Sequence, residues 1–181
     1  MVDKYGTDVR IVKKQLVVHP QNAMAGALAF CAAAKQGKAK EMDDAVWDKG
    51  FKRNRDLDVS EVKDGDKTAM CWDTDKGCEK VVSYATELGL NVDQFKADMK
   101  GDCQELVKKD MAVLRNFGVQ ATPAFFVNGR FIPGGAVPFA NFVPVIDEEL
   151  AKANEAVQKG VSAGDYYEKV IMQQGLKKLG G

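Results

Sequence analysis

The chain has 181 residues, 45% of them hydrophobic, enough to bury the core of one sizeable domain. Lysine and arginine balance aspartate and glutamate at 26 each, so no net field favours nucleic acid or an anionic membrane. No apolar run approaches the roughly 20 residues that a membrane-spanning helix needs, and the opening "MVDKYGTDVR" lacks the charged start and apolar stretch of a signal peptide.

The first element is a predicted strand over Asp8 to Val18, "DVRIVKKQLVV", rich in β-branched residues and ended by His19-Pro20. His19 there reads as a boundary residue and not as a catalyst. The helix formers of "QNAMAGALAFCAAAKQG" follow, apolar on most faces, which predicts a buried helix stopping at Gly37, with Cys31 inside it as a buried inert thiol. "KAKEMDDAVWDKGF" predicts an amphipathic helix that turns Met42, Val46 and Trp47 to the core.

Between Lys52 and Lys76 charged and turn residues dominate, and the reading is loop. Six residues, "WDTDKG", separate Cys71 from Cys78, and their turn residues let the two meet as a local structural disulfide if the geometry allows. A helix from about Lys76 to Leu88 ends at Gly89, Asn91 caps a short helix through "VDQFKADMK", and a third helix aligns Leu106, Val107, Met111, Leu114 and Phe117 before Gly118. Cys103 lies near the start of that third helix, where a lowered thiol pKa is opposed by Asp102.

The four cysteines, Cys31, Cys71, Cys78 and Cys103, accompany one histidine, so a zinc ligand set is hard to assemble, and neither metal nor cofactor is expected. An even count fits two disulfides in an oxidising compartment, with three pairings open, and equally four buried thiols in a reducing one.

"AFFVNGRFI" is the strongest local signal: two aromatic-rich runs split by Asn128-Gly129, the pair that favours a type I′ hairpin turn. "FANFVPVIDEELAKANEAVQKG" and "SAGDYYEKVIMQQGLKKL" then predict two helices parted by Gly160, the first restricted by Pro144. At the mouth of the hairpin stands Thr122-Pro123. A proline heading a strand has a plain explanation, since position one needs no ladder donor. The competing reading is a cis bond that leaves the preceding backbone free to pair with an extended peptide.

The order of strand, apolar helical block, "GVQATP", "NG" hairpin and terminal helix resembles the DsbA-like thiol-disulfide oxidoreductases of bacterial envelopes. "YGTDVRIVKKQLVVHP", "AAAKQGKAKEM", "ELGLNVDQF" and "GVQATPAFFVNGRFIPGG" carry that resemblance. It implies an α/β thioredoxin-like fold over 1–150 with a helical insertion over about 19–117, and a C-terminal helical extension over 151–181. By the same resemblance Pro123 is the cis-proline facing the redox centre, and Thr122 pairs with a bound client strand. Ala121 stands where the family often has glycine, so Ala121, Thr122 and Pro123 form the implied substrate-binding set. Protein thiol or disulfide clients and a periplasmic or other extracytoplasmic location are implied with them.

The family's Cys-x-x-Cys, which sits at a helix start because that position stabilises a thiolate, occurs nowhere in this sequence. The resemblance places it, with a central strand, before Met1. On that basis the chain is expected to have no ordinary disulfide-exchange activity, and to answer the loss of a central strand by a swapped homodimer, a rearranged sheet or marginal stability. Two other readings remain: a redox-silent peptide-binding module, and a relative of the kappa-type glutathione transferases.

Overall fold

In a computed structural model, residues 2–54 and 58–175 are described. The chain divides into two compact units, Lys14–Val113 and the described residues of Met1–Lys13 with Leu114–Gly181.

Lys14–Val113 is built around α2, Pro20–Lys35. Pro20 suits the first helical position, where no amide partner is required, and alanines let the neighbouring helices come close on several sides. Ala25, Leu28, Ala29, Ala32 and Ala33 are buried in one cluster with Met42 of α3 (Ala39–Ala45), Val81 of α4 (Glu79–Glu87), and Phe95 and Met99 of α5 (Val92–Lys100). Val107 joins them from α6, Asp102–Asn116. A β-carbon on Gly26 would lie 3.2 Å from Val46 Cγ1, so glycine there sets how closely the chain after α3 approaches α2. Asn91 caps α5 by accepting from the Gln94 amide at 3.0 Å, and Gly89 takes the positive φ of 70° that ends α4.

Several expectations change here. The predicted strand over Asp8 to Val18 forms no ladder; Val9 is extended, but no described strand lies beside the segment. Asp110 takes over part of a strand partner's work, accepting from the Gln15 amide at 3.1 Å and from Lys14 Nζ at 2.8 Å. Ile11 and Val12 are left 62% exposed. Trp47 is not in the core: the helix continues past Val46 in wider, π-type turns to Asn54, which swings Trp47 outward to stack on Phe51. Leu106 is likewise exposed while Val107 beside it is buried.

The segment read as loop holds an antiparallel hairpin, β1 (Glu61–Asp64) and β2 (Lys67–Met70), turning at Gly65-Asp66. Its strands are mostly exposed and charged, so no apolar alternation announces them. Ser60 anchors it: its amide donates to the Gln21 carbonyl at 2.8 Å, its hydroxyl to the Pro20 carbonyl at 2.6 Å, and its carbonyl accepts from the Cys71 amide at 2.7 Å. Residues 55–57 of that loop lie outside the described residues.

Neither Cys31 nor Cys103 is a free thiol. Cys31 of α2 is bonded to Cys103 of α6, and Cys71 to Cys78, and no cysteine is left over. The pairing follows from packing, because α2 and α6 present the two sulfurs within one buried cluster.

The second unit has a thin core of Tyr5, Ile132, Phe142 and Ile146, with Val9, Val127 and Val137 packed on it. It comprises α1 (Val2–Tyr5), the hairpin β3 (Phe125–Val127) and β4 (Arg130–Ile132), and α7 (Phe139–Gln158). Asn128 and Gly129 take the turn with φ of 49° and 83°. The Tyr5 hydroxyl donates to Asp147 Oδ1 at 2.7 Å, fastening α1 to α7. Pro144 sits inside α7, and the helix runs unbroken through residue 150. The second tail helix is replaced by short pieces, a 3₁₀ turn at Ala163–Asp165, a π-type turn at Tyr167–Ile171 and α8 at Met172–Gln174; its expected end over 176–179 lies outside the described residues.

The Cys31–Cys103 bond joins residues 72 apart and the Cys71–Cys78 bond residues 7 apart. On loop-closure entropy they contribute about 4 and about 2 kcal/mol respectively. Replacing Cys31 and Cys103 together by serine is therefore expected to lower unfolding free energy by about 2 kcal/mol more than replacing Cys71 and Cys78. Urea titration of the two double variants measures it, and equal losses would contradict the loop-length account.

Lys152 and Arg130 hold the Glu148 carboxyl down at about 2, and so tie β4 to α7. A carboxyl whose pKa is depressed on folding adds stability above its unfolded value and loses it as pH falls. The tie is thus expected to be unchanged down to the ordinary glutamate value of 4.5 and to disappear between there and about 2. A side-chain carbon titration of Glu148 with its midpoint near 4.5 would refute this.

Candidate functional site

Two kinds of group in this chain bear on sulfur chemistry: the cysteines, and the Thr122-Pro123 step. The structure closes the first to reaction. Cys71, Cys78 and Cys103 are at most 1% exposed and Cys31 is 6% exposed, all within the core of Lys14–Val113. A disulfide exchanges only when a thiolate can reach one of its sulfurs, so these two bonds are staples. The loop bearing Cys71 and Cys78 is fastened further, since Lys96 and Lys100 donate to the Asp75 and Asp73 carbonyls. Among the described residues no cluster of histidine, cysteine, aspartate or glutamate is arranged to hold a metal ion.

The second kind is open. The Thr122-Pro123 peptide bond is cis. After α6, Gly118 turns the chain with φ of 69°, and Val119, buried, anchors the start of the next loop, its amide donating to the Leu114 carbonyl at 3.0 Å. Ala121, Thr122 and Pro123 then run exposed across the surface, and Ala124 leads into β3. β3 pairs with β4 alone, in the register Phe125 to Ile132, Phe126 to Phe131 and Val127 to Arg130. Its other edge has no neighbour among the described residues. An exposed backbone run that continues into an unpaired strand edge can accept an extended chain by main-chain hydrogen bonds.

The side chains around that edge are apolar. Phe125 meets Phe142 edge to face at 5.0 Å on the side of α7, and on the opposite side of the ribbon Phe126 and Phe131 pack across the strands at 5.2 Å. Phe131 remains 52% exposed, so this face gives a visiting strand apolar contact beside its backbone pairing. A turn at Gly134-Gly135 follows β4 beside the Thr122-Pro123 step, where a β-carbon on Gly135 would stand 3.3 Å from the Pro123 carbonyl oxygen.

A shallow cavity of about 380 Å³ lies elsewhere in the same unit, lined by Glu149, Lys152, Tyr166, Val170 and Ile171 among others. Its two charges are paired, Lys152 Nζ donating to Glu149 Oε1 at 2.8 Å and also meeting Glu148 at 2.8 Å.

The three residues singled out as a binding set are contiguous and exposed, and Cys71 and Cys78 are joined to each other. Gly135 was not foreseen, although the doubled glycine after the hairpin is visible as a signal. The Cys31 to Cys103 pairing had no local signal, because it rests on how two distant helices pack.

The geometry accords with the comparisons. Residues 1–143 match the family model for the DSBA-like thioredoxin domain. A Na(+)/H(+) antiporter, NhaA, of Herminiimonas arsenicoxydans is 34% identical over 131 residues, which cover 72% of this chain and 17% of the antiporter. No solved structure matches the chain. With that family model matched over most of its length, the chain belongs to the DSBA-like thioredoxin domain family and has its α/β thioredoxin-like fold.

Proposed function

We propose that this chain docks extended segments of thiol- or disulfide-bearing client proteins along Thr122 and the free edge of β3, as the client-holding part of a thiol-disulfide oxidoreductase. The observation that carries this reading is the exposed run Ala121 to Pro123 leading into a strand whose second edge has no neighbour among the described residues. Main-chain pairing accepts many client sequences, and the Phe126 and Phe131 face favours apolar ones.

The dithiol that would attack a client is not among these residues, since all four cysteines are committed to buried disulfides. Taken alone the chain is therefore a holder and not a catalyst, and a redox-silent peptide-binding module is the second reading that the same observation favours. Two buried disulfides also support an extracytoplasmic location, where such bonds persist. The free β3 edge further supports pairing between two copies, expected as a concentration-dependent dimer in sedimentation velocity; a single monomeric species at every concentration would refute that pairing.

Insulin reduction by a small dithiol is expected to proceed no faster with this protein than without it. Native thiol titration should find no reactive sulfhydryl, and titration after reduction in denaturant should find all four. Turnover, or a reactive thiol in the native protein, would overturn the assignment of the cysteines. Thr122→Pro deletes one edge amide without touching the buried cluster, and is expected to weaken binding of extended peptides about fivefold at unchanged thermal midpoint. Undiminished peptide binding by that variant counts against docking at Thr122.

A further inference from the structure

We infer that Gly135 is a positioning residue for the docking edge: its missing side chain leaves room for the Pro123 carbonyl, and this sets the plane in which Thr122 meets a visiting strand. The inference rests on the docking reading above. Three contacts within one unit carry it. A β-carbon built on Gly135 would stand 3.3 Å from the Pro123 carbonyl oxygen, tighter than ordinary van der Waals contact, so one side must yield.

The turn is the side that holds. Ile132, just before it, is buried, and Val137, just after it, packs on the same core. The Val137 amide donates to the Gly135 carbonyl at 2.8 Å across the turn, and a β-carbon on Gly134 would strike Val137 Cγ1 at 2.9 Å. The loop from Ala121 to Pro123, by contrast, is exposed along its whole length. A side chain at position 135 therefore displaces the Pro123 carbonyl and not the turn. Because the proline ring fixes φ, rotation of that carbonyl is passed back along the backbone towards Thr122 and forward into β3.

Backbone strain must be separated from contact, because Gly135 also has a positive φ of 63°. Gly129 provides the control: its φ is 83°, and a β-carbon there meets nothing within 4 Å. Asparagine tolerates this region better than other residues, so Gly135→Asn keeps the β-carbon contact at little conformational cost where Gly135→Ala combines both effects.

The test uses the ¹⁵N-labelled full chain and, as probe, a cysteine-free synthetic decapeptide of alternating valine and serine. In the free protein Gly135→Asn is expected to shift the Thr122 and Ala124 amide resonances, while Gly129→Asn leaves them in place. On titration with the peptide, Gly135→Asn should bind about fivefold more weakly than wild type and Gly129→Asn within about twofold of it. Unmoved Thr122 and Ala124 resonances in Gly135→Asn, or wild-type affinity in that variant, would overturn the positioning role. Wild-type protein that takes up no peptide, with the resonance shifts present, would instead refute docking at this edge, so the two failures are told apart.

Discussion

A strand is held by the hydrogen bonds of its neighbours, and among the described residues the two segments best suited to be strands lack one on at least one side. Val9 to Val18 is β-branched and extended at its start, yet it has no ladder among the described residues, and β3 is paired there on one edge only. The consequences run through the second unit. Among the described residues its buried cluster amounts to four, while Ile11, Val12, Phe126 and Phe131 stay exposed. Apolar area left in water forgoes about 25 cal/mol per Å², so this exposed apolar surface limits the stability of the unit.

The inserted unit answers to a different constraint. Its centre is a helix of small residues, and small residues give up side-chain area in exchange for short distances between helix axes. Gly26 against Val46 and the alanines of α2 allow that approach, and Phe95, Met42 and Met99 fill the space between. Only with the helices this close can Cys31 reach Cys103 at a Cα separation of 5.7 Å. Lys35, one turn beyond Cys31 on α2, reaches Asp98 and Asp102, so an ion pair and a covalent bond fasten neighbouring stretches of the same three helices.

What the sequence disclosed and what it hid divide along the same physical line. Local chemistry was legible: Asn128-Gly129 specified the hairpin turn, Asn91 and Gly89 marked helix ends, and Thr122-Pro123 marked the exposed loop. Each of these depends on a few consecutive residues. The strand over Asp8 to Val18 was misjudged because β propensity describes fit to a sheet that must be supplied by other residues. The β1 and β2 hairpin was missed for the opposite reason: its strands are mostly exposed, Val62 alone of β1 packs on the buried cluster, and Ser60 fastens the hairpin to the Pro20 and Gln21 carbonyls. Trp47 turned outward because a change of helical pitch after Val46 shifted the periodicity on which its placement relied. The roles of Gly135 and of the Cys31 to Cys103 bond are contacts between distant residues, which spacing alone does not encode.

Magnitudes bear on how such an edge could work. β3 has three residues, and an extended partner gains alternate hydrogen bonds along one edge, so the strand and Thr122 together offer only two or so. At about 1 kcal/mol net each, these fall well short of the cost of association, which is at least about 4 kcal/mol. The apolar face at Phe126 and Phe131 has to contribute the remainder, and unaided binding is then weak and fast to dissociate. Weak, sequence-tolerant pairing is of little use for retaining a client, but it suits a site where a covalent bond to the client forms and breaks nearby. On the docking reading proposed above, a mixed disulfide with a client would make the pairing intramolecular, and the edge would then have only to orient the client at a high effective concentration. The exposed aromatic pair is the part of the site that a purely non-covalent holder would need to enlarge.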